Sequence, residues 1–485
     1  MLTLKDKNLL RQQAYINGKW VDADNNAQFE VINPATQLPL ANVPDMGQSE
    51  TQAAITAAQH SWQAWRDKTA KARATLLRIW YNLIINHQDD LAQLMTAEQG
   101  KPLAESKGEV LYGASFIEWF AEEAKRIYGN IIPAPKTDQR IIVIKQPIGV
   151  VAAITPFNFP LAMITRKCAP ALAAGCPVVI KPAEAAPLTA LALAELADRA
   201  GFPKGVINVI TGNPQEIGQE LTSNPQVRKL SFTGSTKVGK LLAKQCADTV
   251  KSVSLELGGN APFIIFEDAD IDKAIAGVIA SKYRNTGQTC VCANRLLVHA
   301  SIYETFAQRL AEAVGQLKVG DGLKGETQQG PLINQAALEK VESHIDDAVQ
   351  KGAEIVHGGQ RHALGGTFFQ PTILTDVTPD MQIANEETFG PVAPLFRFNT
   401  DEEAIQLANN TQYGLAAYFY SNDLSRVWRV AEALEYGIIG VNEGIVSTEV
   451  APFGGVKESG LGREGGQYGI EAFLEPKYIC LGGIN

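Results

Sequence analysis

From Gly149 onward, short β-rich runs recur with room for one helix between each pair, and this alternation constrains the fold more than any other feature of the 485-residue chain. The runs lie at 150–155, 177–181, 206–211, 229–233 and 252–257. Strands separated by segments of helical length predict a parallel sheet wrapped by helices, an architecture that binds nucleotides. Its ligands lie beyond the C-terminal ends of the strands, so the residues after each run carry the functional interest. Beyond Gly258 a second α/β series begins, with runs at 261–266 and 295–299. A chain of this length exceeds what one core serves, so two or three domains are expected.

The first third reads as helical after a short leader. Ser49 and Gln52 stand at capping-box spacing ahead of Ala54, Ala57, Ala58, Trp62 and Trp65, which predicts a helix start. Two further helices are predicted over about 70–98, stopped by Gly100, and over about 104–128. Their aromatic stripes read as core, without a catalytic role. The runs 141–146 and 478–481 read as strands that could pair as an intersubunit arm.

Charge and composition exclude several classes. The net charge of −9 comes from dispersed residues, which argues against nucleic acid or an anionic membrane as partner. Residues 1–13 hold no apolar stretch, and the apolar runs 150–164 and 169–180 are interrupted, so neither a secretory signal nor a membrane span is predicted and a cytoplasmic location is expected. Six cysteines are too few for a disulfide scaffold in a chain this long, and reduced thiols are expected. The close pair is Cys-x-Cys, with no spaced histidine motif beside it, so no metal is predicted.

Three loops carry chemistry. The turn 233–239 places Gly234 and Ser235 where a helix begins, which suits a pyrophosphate docked on backbone N–H groups, although it lacks the G-x-G-x-x-G pattern. Lys181 and Glu184 follow another strand and offer partners for ribose hydroxyls; taken alone, a solvated loop explains them more simply. Cys290 stands in a polar loop next to Gly287, Gln288 and Thr289, open to a substrate. A nucleophilic cysteine needs a thiolate, an oxyanion donor and a group that manages protons, and Asn158 and Glu256 end earlier strands with suitable chemistry.

Six segments resemble, in order, the motif series of the aldehyde dehydrogenase superfamily: TPFNFP at 155–160, FTGS at 232–235, LELGGN at 255–260, GQTC at 287–290, ETFGP at 387–391 and PFGG at 452–455. The resemblance implies an α/β aldehyde dehydrogenase-like fold with a Rossmann-type cofactor domain (1–126 and 148–257), an α/β catalytic domain (258–471) and a β oligomerisation arm (127–147 and 472–485). It implies Cys290 as nucleophile, Glu256 as general base, and Asn158 with the Cys290 backbone N–H as oxyanion donors. Lys181 and Glu184 map to the adenine ribose, Gly234 and Ser235 to the pyrophosphate, Glu387 and Phe389 to the nicotinamide ribose, and Phe157 and Phe453 to the aldehyde pocket. A carboxylate at Glu184 accepts from a free 2′-hydroxyl and repels a 2′-phosphate, so NAD is expected to be preferred, with NADP possible through Lys181. The family forms homodimers or homotetramers.

Within the superfamily, the surroundings of Arg166, Arg284 and Ser447 resemble succinate-semialdehyde dehydrogenases, where those positions hold the substrate carboxylate. Arginine supplies planar, charge-assisted donors for such a group. A structural ion pair is the alternative use of these arginines. Glutarate semialdehyde is longer by one methylene, a difference worth only about 1 to 3 kcal/mol, so a glutarate-semialdehyde or broader aldehyde dehydrogenase is the alternative reading. Cys292 at i+2 from Cys290 is a redox candidate, through a strained disulfide that blocks the nucleophile. A coenzyme A-acylating dehydrogenase, an esterase and a non-catalytic scaffold are rival classes. Glu256, the cofactor motifs and the intact Cys290, Asn158 and Glu256 weigh against each in turn.

Overall fold

The five β-rich runs after Gly149 form the strands Val150–Ile154, Val178–Lys181, Ile207–Val209, Val227–Thr233 and Ser252–Glu256 in the computed structural model, which describes residues 2–484. All five pair in parallel, and across the sheet their chain order runs 3-2-1-4-5. The order reverses between Val150–Ile154 and Val227–Thr233, the point at which a ligand crevice opens in such sheets. The loops leaving these two strands carry Asn158 and Ser235. Val150, Val151, Val178, Val179 and Leu230 are fully buried, as strands covered on both faces require.

Both edges of this sheet depart from expectation. The supposed leader forms strands: Ala14–Ile16 pairs with Ile207–Val209 and, through a tight hairpin, with Lys19–Val21. Asn17 and Gly18 at the turn have φ of 52° and 72°, which is what an Asn-Gly hairpin turn demands. At the far edge Gly460–Leu461 pairs antiparallel with Ser252–Glu256, so a segment expected in the catalytic domain completes the cofactor sheet.

The helices differ in their ends. Gln48–Arg66 begins at a Gly47 cap, where Glu50, not Ser49 with Gln52, takes the Gly47 N–H at 3.0 Å. The helix expected over 70–98 is two, Ala70–Asn86 and Gln88–Gln99, broken at His87, whose ψ of 20° is not helical. Asp90 in the second accepts the backbone N–H groups of Lys5 and Asp6 at 2.9 and 2.8 Å, which ties that helix start to the N-terminal segment. The next helix, Leu103–Glu123, runs into a short 3-10 turn at Ala124–Arg126.

A second, seven-stranded sheet contains Ala261–Ile265 and Ala293–His299 at its centre and is parallel except for its edge strand Glu354–His357. The two runs expected to form an arm pair within the chain: Arg140–Pro147 and Leu474–Leu481 run antiparallel, with Asn130–Ile132 as third strand. No helix of the described residues is long and apolar enough to cross a membrane.

Candidate active site

Asn158 is buried on the turn that follows Val150–Ile154. Its side-chain amide donates to the Gln288 carbonyl at 3.0 Å, and its side-chain oxygen accepts the Phe159 N–H at 3.1 Å. Cys290 lies two residues past Gln288, on a loop whose approach is a sharp turn: Asn285, Thr286 and Gly287 have φ of 51°, 58° and 74°. Glycine is required at 287, because a Cβ there would stand 2.1 Å from the Gly390 carbonyl. The GQTC and ETFGP segments therefore meet backbone to backbone.

Glu256 ends the last parallel strand and is buried, with one carboxylate oxygen lacking any hydrogen-bond partner. A Cβ at Gly454, where φ is 157°, would come within 2.9 Å of the other oxygen, so the PFGG segment leaves room for this side chain. Burial, and then the negative charge of Glu464, raise Glu256 well above the usual carboxylate range, against the pull of Arg166, Lys167 and Arg463. Glu464 is itself buried between the Arg166 Nε at 2.6 Å and the Lys167 Nζ at 2.5 Å. Burial works against its ionised form, but Lys167 and Arg166 hold its pKa below the ordinary value.

Burial pushes the Cys290 thiol up to about 12, with Arg166 and Arg284 pulling down and Glu387 and Glu256 pushing up. The sequence reading asked for a thiolate; burial here favours the neutral thiol, in a pocket of mixed charge. Such a thiol needs a proton acceptor before it attacks. Cys292 is a free, buried thiol directed at the carbonyls of Lys282 and Ala293, both 3.6 Å away.

Of the residues expected to hold a dinucleotide, Lys181 and Ser235 stand at or just beyond the C-terminal ends of parallel strands. Ser235 caps the helix Thr236–Ala247, its hydroxyl accepting the Val238 N–H, and the Gly234 N–H donates to the Glu256 carbonyl at 3.0 Å. Both of these N–H groups are engaged within the chain, so what this helix start offers a phosphate is its dipole and the remaining N–H groups of its first turn. Lys181 is buried and forms an ion pair with the half-exposed Glu184. Glu387 accepts the Gly259 N–H at 3.0 Å, and burial raises its pKa to about 7. Phe389, at φ 57°, stands edge-on to Phe157 with ring centres 6.0 Å apart. Switch-point crevice, helix cap, buried lysine and buried carboxylate together fit an NAD(P) dinucleotide.

The positions read as carboxylate-binding also converge. Arg166 is fully buried over the Phe453 ring at 4.1 Å and engaged by Glu464, so the structural ion pair weighed for it is present. Arg284 is different: among the described residues it forms no ion pair, lies over the Phe159 ring at 5.0 Å, and lines a small cavity with Ser447, Thr289, Val291 and Tyr418. Tyr112 completes the group. Its buried hydroxyl faces Arg166 and Ser447 without a hydrogen bond of good geometry to either.

Tyr112 and Glu464 escaped the sequence reading. Tyr112 belongs to the aromatic stripe of Leu103–Glu123 that was read as core, and its ring does pack edge-on to Phe116. Only its hydroxyl reaches the pocket. Glu464 carries no local signal, because its partners Arg166 and Lys167 lie almost 300 residues away.

Residues 20–479 match the family model described as "Aldehyde dehydrogenase family". The chain is 63% identical to an Escherichia coli succinate-semialdehyde dehydrogenase [NADP(+)], over 99% of this chain and 100% of that protein. It is 62% identical to a glutarate-semialdehyde dehydrogenase of Pseudomonas aeruginosa and 60% identical to a 3-sulfolactaldehyde dehydrogenase of Pseudomonas putida, each over the full length of both. A crystal structure of succinate-semialdehyde dehydrogenase from Burkholderia pseudomallei superposes with a TM-score of 0.98, at 63% identity, covering 99% of this chain and 100% of that one. Six motifs in order, two α/β sheets meeting around Cys290, and full-length likeness to these relatives have one explanation: the chain belongs to the aldehyde dehydrogenase family.

Proposed function

We propose that the chain oxidises an aldehyde bearing an anionic group at its far end, with succinate semialdehyde as first substrate and glutarate semialdehyde as a close second. The observation that carries this reading is Arg284, a half-buried cation without an ion-pair partner among the described residues, grouped with Ser447, Arg166 and the Tyr112 hydroxyl. A cation in such a setting is a fitting partner for an incoming carboxylate or sulfonate. The relatives' names are consistent with it: each names an aldehyde that carries an acid at its other end.

Cys290 is the nucleophile, and Glu256 accepts its proton as sulfur attacks the aldehyde carbon. The resulting oxyanion is held by the second N–H of the Asn158 carboxamide and by the Cys290 backbone N–H. NAD(P)+, when bound, would supply the acceptor for the hydride that leaves the thiohemiacetal carbon as the thioester forms. Glu256 then releases the cysteine's proton to solvent and, ionised again, takes a proton from water as the water attacks the thioester carbon; collapse expels the sulfur, which takes that proton back from Glu256, and frees the carboxylic acid. A buried acid of raised pKa suits this alternation of proton uptake and release better than an ordinary surface carboxylate does. Its presence also favours water over coenzyme A as acceptor.

Lys181 and Glu184 would hold the adenine ribose, Ser235 and Gly234 the pyrophosphate, and Glu387 and Phe389 the nicotinamide ribose. The carboxylate of Glu184 supports a preference for NAD over NADP. The three-stranded arm supports a homodimer or homotetramer, since its edge strand leaves Ile131 84% exposed and its backbone groups available for pairing. Free thiols at all six cysteines accord with a reducing, cytoplasmic setting.

The deciding experiment follows NADH and NADPH formation with succinate semialdehyde, glutarate semialdehyde and butyraldehyde, for the parent and Arg284→Ala. A preference for the acid-bearing aldehydes that disappears in Arg284→Ala is the expected result. Equal rates on butyraldehyde would remove the substrate assignment and leave the dehydrogenase standing.

A further inference from the structure

Lys101 has a fully buried ammonium outside every group considered above. It donates to Glu109 at 2.5 Å and to the backbone carbonyl of Asn158 at 2.6 Å, and lies 4.1 Å over the ring of Phe159. The other oxygen of Glu109 accepts the N–H groups of Leu161 and Ala162 at 2.9 and 3.2 Å. One ion pair thus fastens both ends of the turn 158–162. From the opposite side the Asn285 carboxamide donates to the same Asn158 carbonyl at 2.9 Å. Asn285 is in turn held by Gln99 and Glu105, each at 2.8 Å. Residues 99–109 therefore grip both the turn that carries Asn158 and the loop that carries Cys290.

We propose that Lys101 is a positioning residue of the reaction: by holding the Asn158 carbonyl it fixes the direction of the Asn158 carboxamide toward the oxyanion. The physical reason is leverage. The Asn158 side-chain oxygen accepts the Phe159 N–H of the same peptide unit at 3.1 Å, so rotation of that unit carries the carboxamide with it, and a displacement of about 1 Å in such a group costs about 100-fold in rate. Burying an ammonium for a merely structural turn is unfavourable unless every partner is in place. Here the partners are a capping carboxylate and the backbone of the residue that serves the transition state. The inference rests on the reading of Asn158 as oxyanion donor.

The test is a double-mutant cycle on single-turnover hydride transfer. Lys101→Met combined with Glu109→Gln, which avoids leaving a buried charge unpaired, is expected to slow hydride transfer about 100-fold while cofactor binding is retained. In an Asn158→Ala background the same pair of changes is expected to cost no more than about two-fold, because coupled residues do not add. An undiminished loss in that background, or no loss in the parent, overturns the proposal. Asn158→Ala alone reports on the oxyanion reading: a loss under ten-fold there removes that reading, and the proposal with it, before Lys101 is touched. Lys101→Arg, which keeps the ion pair but changes the donor's reach, is the second variant should the first not fold. It is expected to give the same coupling at smaller amplitude, and additivity with Asn158→Ala would again overturn the proposal.

Discussion

The Asn158 carboxamide donates to the Gln288 carbonyl at 3.0 Å, which fastens its side chain to the chain two residues before Cys290. An amide nitrogen has two hydrogens. One is committed to Gln288, and the proposed mechanism uses the other for charge that develops beside the sulfur. Asn158→Ala removes both, so turnover is expected to fall about 100- to 1000-fold. Alkylation of Cys290 by iodoacetamide, followed by mass spectrometry, should persist in the variant. A variant that keeps turnover within ten-fold of the parent would show that the backbone N–H alone serves the oxyanion.

Glu464 is expected to set the pH at which Glu256 works. Burial first, and the charge of Glu464 second, raise Glu256 above the ordinary carboxylate range. Glu464→Gln removes that charge and leaves Arg166 and Lys167 to act on Glu256 unopposed. Both changes favour the ionised form, so the acid limb of the kcat/KM profile is expected to move to lower pH. Breaking a buried pair also costs about 3–5 kcal/mol, so the melting temperature should fall in parallel. An acid limb that stays fixed, or moves to higher pH, would mean that another group controls it.

The parallel sheet was legible in the sequence because strands buried on both faces read as continuous Val-, Ile- and Ala-rich runs, whatever their partners. The hairpin at Asn17 and Gly18 was passed over as leader, because the strands around it are three residues long and give little periodicity. The break at His87 was not legible, since Asp90 is held by backbone groups of Lys5 and Asp6 more than 80 residues earlier. The site divides in the same way. Cys290, Asn158 and Glu256 lie in local motifs, whereas Glu464, Tyr112 and Lys101 acquire their meaning from partners that only the fold supplies.

The two arginines should separate on substitution. Among the described residues Arg284 has no ion pair to lose, so Arg284→Ala is expected to keep the parent's melting temperature. It should lose about 10- to 150-fold in kcat/KM for succinate semialdehyde, the worth of a hydrogen bond to a charged group. Arg166→Ala should lose both, because Glu464 keeps only Lys167 as partner. Tyr112→Phe removes only the hydroxyl and is expected to raise KM for succinate semialdehyde while leaving butyraldehyde unchanged. Calorimetry beside steady-state kinetics distinguishes the three; equal thermal losses at Arg166 and Arg284 would contradict the difference in their pairing.

Glu184 should govern cofactor choice through its pairing with Lys181. With the adenine ribose placed as proposed, the carboxylate would serve a 2′-hydroxyl and repel a 2′-phosphate, and its ion pair already occupies the Lys181 ammonium that would otherwise meet that phosphate. Glu184→Ala removes the repulsion and frees Lys181 in one step. A charge-assisted contact is worth about 1.5–3 kcal/mol, or about 10- to 150-fold. The Glu184 side chain is 45% exposed, so solvent screening places the gain near the lower end, about 10-fold. Initial rates with NAD and NADP at one aldehyde concentration give the ratio, and added salt should shrink the change. An unchanged ratio would place the adenosine away from the Lys181–Glu184 pair and leave a preference for NAD without a structural cause.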